Sequence, residues 1–225
     1  MLIRAFLTFV CLTGSVWSLP LTSVNHTSSL VRNRRFSAAG FYGSCRGVRQ
    51  RSSGVDRGLT DADRQMLQDQ HNEYRRMAGG SNLRHIRYSM DLERTAQQYA
   101  NECNFAHSYR WPVGENIWAD YGYDFSKAVC LWYQEGPYGG CTSTRTFSHY
   151  CGHYTQITWA TTQYVGCGFS KCSSVYGVGN LGRKRAILVC HYSPPGNVMG
   201  VPAFEYGPPC SRCPSGTTCY NGLCY

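Results

Sequence analysis

Chemistry in this 225-residue chain would have to come from its histidines, its cysteines and a few acids, and their spacing limits what it can be. No H-E-x-x-H occurs, so no single helix offers a ready-made zinc-peptidase pair. Ser108 stands beside His107, yet no Asp identifies itself in sequence as the third member of a hydrolase triad. Cys210-Ser211-Arg212-Cys213 has the C-x-x-C look of a zinc ribbon. The cysteine count favours another use. Of 13 cysteines, Cys11 lies in an N-terminal export signal, and the 12 left are an even number. In an oxidising compartment such a set reads as a disulfide framework, and cysteines spent on disulfides cannot be nucleophiles.

The export signal is expected over residues 1–18. Arg4 gives a positive start, Ala5 to Val16 is a broken apolar run, and Val16 and Ser18 sit at minus-three and minus-one before Leu19. A spanning helix needs roughly 20 apolar residues, so no transmembrane segment is expected and the protein is read as secreted and extracellular. Net charge is +9, but seven arginines (Arg4, Arg32, Arg34, Arg35, Arg46, Arg49 and Arg51) precede the first acid, Asp56. The remainder carries 15 basic against 13 acidic residues, too balanced for a phosphate-binding face. Nucleic acid is excluded on that ground.

Residues 19–58 are polar and aperiodic, and read as a pro-segment or N-terminal arm. Arg32-Asn33-Arg34-Arg35 fits a furin-like R-x-R-R site cut after Arg35, with Arg51 as the alternative cut and a solvated basic linker as the competing reading. Asn25-His26-Thr27 is a glycosylation sequon that the cut would discard.

The elements that must position any site begin near Leu59. Thr60 and Asp63 form a capping-box pattern, and Met66, Leu67, Gln70, His71, Tyr74 and Ala78 recur at helical spacing up to Gly79-Gly80. A second helix starts at Ser89. A third is expected from Asp124 to about Glu135, with Phe125, Ala128, Val129 and Trp132 inward and a stop at Gly136. Residues 115–119, 164–169 and 186–192 read as strands, the last two flanking a Gly-rich hairpin, so a largely antiparallel sheet with helices packed on it is expected. The last stretch, nearly all Cys, Pro, Gly, Ser and Tyr, cannot bury a core and must be held by its four cysteines.

Six ordered motifs then carry a resemblance: His71-Asn72-x-x-Arg75, Cys103 with His107-Ser108, Gly114-Glu115-Asn116-Ile117, Trp132-Tyr133-Gln134-Glu135, Gly152-His153-Tyr154-Thr155-Gln156-Ile157-Thr158-Trp159, and Cys190-His191-Tyr192-Ser193-Pro194-Pro195-Gly196-Asn197. The chain resembles the CAP superfamily of cysteine-rich secretory, antigen 5 and pathogenesis-related 1 proteins. Its tail resembles the hinge of peptidase-inhibitor-15-like and cysteine-rich secretory proteins. The resemblance implies a three-layer α-β-α sandwich in the α+β class, with the CAP domain over 59–204 and a cysteine-rich hinge over 205–225.

It also implies a cleft lined by His107, Glu115, Glu135 and His153, which could offer nitrogen and oxygen ligands to a weakly bound divalent ion such as zinc, form acid–imidazole pairs around a water, or simply hold the sandwich together. His71 and Asn72 read as a structural pair, and His26, His85, His149 and His191 carry no constellation. The family pattern implies the pairs Cys103–Cys172, Cys141–Cys151, Cys167–Cys190, Cys210–Cys219 and Cys213–Cys224. Cys45 and Cys130 are left over. Cys130, two positions before Trp132, is expected to point to the outer surface and to bridge to Cys45, with a Cys130–Cys130 dimer as the rival.

Three functions compete: an extracellular binding module acting on protein, matrix or lipid without turnover, a metal-dependent peptidase, and a sterol or lipid carrier. The first is favoured, as a monomer with no assignable catalytic residue. The carrier reading rests on Trp132, Tyr133, Tyr138, Phe147, Tyr150, Tyr154 and Trp159, a density that a packed core would also produce.

Overall fold

The computed structural model describes residue 45 and residues 56–110, 112–138, 151–178 and 184–225, within a compact unit that spans Gly43–Tyr225. The expected signal peptide, Asn25, the Arg35 and Arg51 sites, Cys141, Phe147 and Tyr150 lie outside the described residues. So does all of the expected arm up to residue 55 except Cys45.

Helix α1 (Asp61–Ala78) opens on Thr60, whose side chain accepts from the Asp63 amide while Asp63 accepts from the Thr60 amide, and it closes at Gly79. Its buried face carries Met66, Leu67, His71, Asn72, Tyr74 and Arg75. Strand β1 (Arg87–Tyr88) leads into α2 (Met90–Ala100), capped by Ser89 through the Leu92 amide. Then follow β2 (Gly114–Asp120), a 3-10 turn at Phe125–Lys127, α3 (Ala128–Tyr138), α4 (Gly152–Ile157), β3 (Tyr164–Lys171) and β4 (Ala186–Ser193).

The sheet order is β1-β3-β4-β2, with β4 antiparallel to both neighbours and β1 parallel to β3. Side chains alternate across it. On β4, Leu188, Cys190 and Tyr192 join the core under α1 and α3, whereas Ile187 and Val189 join the core under α2. The result is three layers, helix on sheet on helix. Contact with α2 is close: a Cβ on Gly166 would lie 2.2 Å from the Glu93 nitrogen, and one on Gly168 would lie 2.3 Å from the Gln97 Cα. Only glycine permits that approach. Each fully buried Leu or Phe in the two cores contributes roughly 1.5–3 kcal/mol by leaving water.

Two expectations about α3 are corrected. The helix runs through Gly136 to Tyr138. Gly136 serves close packing rather than termination, because a Cβ there would lie 2.5 Å from the Tyr154 ring on α4. Cys130 is only 4% exposed and belongs to the main core, with Cys45 packed against it. It is Leu131 that faces solvent, at 39% exposure. The expected inward stripe of Phe125, Ala128, Val129 and Trp132 is buried as well, so Cys130 owes its burial to what packs on its own side of the helix, Cys45 included.

Disulfides join Cys45 to Cys130, Cys103 to Cys172, Cys167 to Cys190, Cys210 to Cys219 and Cys213 to Cys224. Cys151 is also disulfide-bonded. In the hinge, β5 (Cys219–Tyr220) pairs with β6 (Leu223–Cys224). Cysteines are not its only restraint. Leu223, 1% exposed, packs into a third core with Leu83 and Phe204, and the His85 amide donates to the Cys224 carbonyl at 2.8 Å.

Candidate functional site

His107 lies in the loop after α2, Glu115 is the second residue of β2, Glu135 is on α3 and His153 is on α4. They form two imidazole–carboxylate pairs. His107 Nδ1 lies 2.9 Å from Glu115 Oε1, and His153 Nδ1 lies 2.5 Å from Glu135 Oε1. Among the described residues no three of the four bring ligand atoms within 4.8 Å of one another. Among those residues the one such trio is Cys210, Cys213 and Cys224, all of them in disulfides.

The first pair is the deeper one. Glu115 accepts from the Ser108 amide at 2.9 Å and the Ser108 hydroxyl at 2.6 Å, as well as from His107. Behind it His191 Nε2 approaches Oε2 at 3.1 Å, with Thr95 on α2 at 2.8 Å from His191 Nδ1. Burial alone would raise the Glu115 pKa, but hydrogen bonds from His107, His191 and Ser108 outweigh it and hold the carboxyl well below its ordinary range. The same bond to Glu115 raises the His107 pKa, against the opposing effect of burial.

His191 was assigned no constellation from sequence. The register explains its role, because β2 and β4 place Glu115 directly opposite His191. Both lie on the α2 side of the sheet, in step with Ile117 and with Ile187 and Val189.

The second pair lies on the other side. Glu135 accepts from the His153 amide at 3.1 Å and the Tyr154 amide at 3.3 Å, and the His153 ring stacks on Trp132 with centroids 5.9 Å apart. Asn116 joins this side to the sheet. Its amide donates to the His153 carbonyl at 3.1 Å and to the Tyr192 hydroxyl at 3.3 Å. The Tyr192 hydroxyl lies 2.9 Å from His71 Nε2, and His71 Nδ1 lies 2.7 Å from the Leu67 carbonyl. A carbonyl can only accept, so Nδ1 carries the His71 proton and Nε2 takes the one from Tyr192. Burial pushes the His71 pKa down to about 4, which keeps this relay neutral.

Asn72 clamps the Ile86 backbone with two hydrogen bonds of 2.8 Å, and Arg75 spreads its guanidinium over the carbonyls of Arg84, Ile157, Trp159, Ala160 and Thr162. These motif residues are structural. The aromatic run is structural too where it is described: Trp132, Tyr154 and Trp159 are buried in the cores, and Tyr133 stacks on Tyr74 with centroids 4.7 Å apart.

Residues 68–192 match the model of the cysteine-rich secretory protein family, CAP. The chain belongs to this family. Protein lon-1 of Caenorhabditis elegans is 42% identical over 171 residues, covering 69% of this chain and 54% of that protein. Peptidase inhibitor 16 of Mus musculus is 37% identical over 179 residues, covering 77% of this chain and 36% of its own length. The chain therefore spans about half or less of these curated relatives. Among solved CAP neighbours, a crystal structure of NaASP2 with Zn2+ superposes with a TM-score of 0.61 at 27% identity, over 75% of this chain and 97% of that one. Among the described residues no helix is long and apolar enough to cross a membrane.

Proposed function

We propose that this CAP protein is a secreted extracellular binding module, acting on a protein, matrix or lipid partner without turnover, and that His107 and His153 hold a weakly bound divalent ion such as zinc. The observation that carries the metal reading is the orientation of the two imidazoles. Each points Nδ1 at a carboxylate, which can only accept, so the proton sits on Nδ1 and the Nε2 lone pair is left for a ligand. Glu115 and Glu135 are then positioning residues rather than ligands. Two nitrogens without a thiolate make a weak site. Bound zinc would supply a positive centre for an acidic or carbonyl group of the partner.

The disulfide framework supports the extracellular setting. Absence of turnover is supported by Ser108, whose hydroxyl donates to the low-pKa Glu115 carboxylate, a weak base, rather than to an imidazole nitrogen. The test is to incubate the secreted chain with a peptide library and zinc. We expect no cleavage beyond that of a His153→Ala control. Cleavage that disappears in His153→Ala would establish a peptidase instead.

A further inference from the structure

Where the hinge docks on the body it leaves a cavity of about 280 Å³. Its walls include Arg84, His85 and Arg87 from the segment between α1 and α2, Gln163 ahead of β3, and Thr217 and Tyr225 from the hinge. No Asp or Glu is among the lining residues, and among the described residues neither Arg84 nor Arg87 has a carboxylate partner. The side chains that line the cavity are therefore cationic with no carboxylate side chain among them, in a body whose overall charge is nearly balanced.

The positive field has a local signature. Burial, then the charges of Arg76, Arg87 and Arg75, push the His85 pKa below its ordinary value, against a smaller opposite pull from Asp69. The arginines are held in place. The Arg84 backbone accepts from Arg75 and bridges to Cys224, and the Arg87 guanidinium lies 4.4 Å from the centre of the Tyr225 ring. Thr217 spends its proton on the Pro214 carbonyl and keeps its lone pairs, and the Gln163 side chain has no partner among the described residues.

We propose that this seam binds a sulfated saccharide. Guanidinium forks match the oxygens of a sulfate ester in a bidentate way that a point charge does not. An exposed tyrosine ring beside them suits the apolar face of a pyranose, and the Gln163 amide and Thr217 lone pairs suit its hydroxyls and N–H groups. A bare tetrahedral anion would use the arginines alone. The site shares no residue with the histidine cleft, so the proposal stands or falls independently of zinc.

The experiment is calorimetric titration of the full secreted chain with a trisulfated heparin disaccharide. Parallel titrations use the unsulfated disaccharide and inorganic sulfate. The Arg84→Gln/Arg87→Gln variant should bind at least tenfold more weakly and Arg87→Lys should fall between, while His107→Ala/His153→Ala binds like the parent. Amide resonances of Gln163 and Thr217 in the parent protein should move on titration, a readout that does not depend on any variant folding. Unchanged affinity in the double arginine variant with a parent-like melting temperature would overturn the proposal. So would unmoved Gln163 and Thr217 resonances, or disaccharide binding no tighter than that of inorganic sulfate.

Discussion

The two imidazole–carboxylate pairs use the same residue types in opposite settings. Glu115 is 7% exposed and faces donors on every side, with His191 fully buried behind it. Glu135 and His153 are 26% and 30% exposed, and their carboxylate is held by two backbone amides at the start of α4. A buried carboxylate with several charge-assisted donors acts as a structural anchor, because each donor loses its only partner if the carboxylate goes. A half-wet carboxylate held by backbone can be lost to water at smaller cost. The asymmetry comes from strand parity. Glu115 is directed into the layer between sheet and α2, and its neighbour Asn116 turns to the opposite face to reach α4.

The largest expected effect follows from this difference. Glu115→Ala should lower unfolding stability by about 3–5 kcal/mol at neutral pH, since it strands His191 beside the Ser108 donors. Denaturant unfolding reads this directly. A loss below 1 kcal/mol, in order-of-magnitude terms, would mean that the anchor is not buried as described.

Acid provides the next separation. His71 has a folded pKa of about 4, below its ordinary 6.5, so in that window the unfolded chain binds more protons and stability falls as pH drops from 6.5 toward 4. Full expression of this shift amounts to roughly 3 kcal/mol. Glu115, held low, keeps its contribution above its ordinary 4.5 and loses it only as pH falls further, through its folded pKa. A His71→Gln variant should flatten the upper part of the acid profile and leave the lower part. The reverse outcome would exchange the two roles.

The smaller effect belongs to the wetter pair. Glu135→Ala should cost about 1–2 kcal/mol, because water can replace it at the His153 and Tyr154 amides. Equal losses at Glu115 and Glu135 would erase the distinction between anchor and rim.

Much of this was legible in the sequence, and the residues show why. Thr60 with Asp63, and Ser89 before its helix, are local signals that any chain must answer with a cap. The three long strands were equally plain from β-branched or aromatic residues bounded by glycine and proline. His191 was not, because its function depends on the register that sets it opposite Glu115, a long-range fact absent from local pattern. Helix α4 opens with no side-chain cap, and the two residues of β1 are too few to show a period. Cys130 was misplaced because the helical stripe of Ala128, Val129 and Trp132 says nothing of Cys45, which packs against Cys130 from 85 positions away.

The most direct test of the cleft is a zinc titration of the full chain by calorimetry at about pH 7.5 and about pH 6, bracketing the ordinary imidazole range. A ligand imidazole must be neutral, and the bond to Glu115 raises the His107 pKa, so protons should compete with zinc already above the ordinary histidine value. The account predicts binding at the higher pH that weakens at the lower one and disappears in His107→Ala/His153→Ala. Undiminished binding in that double variant would contradict it.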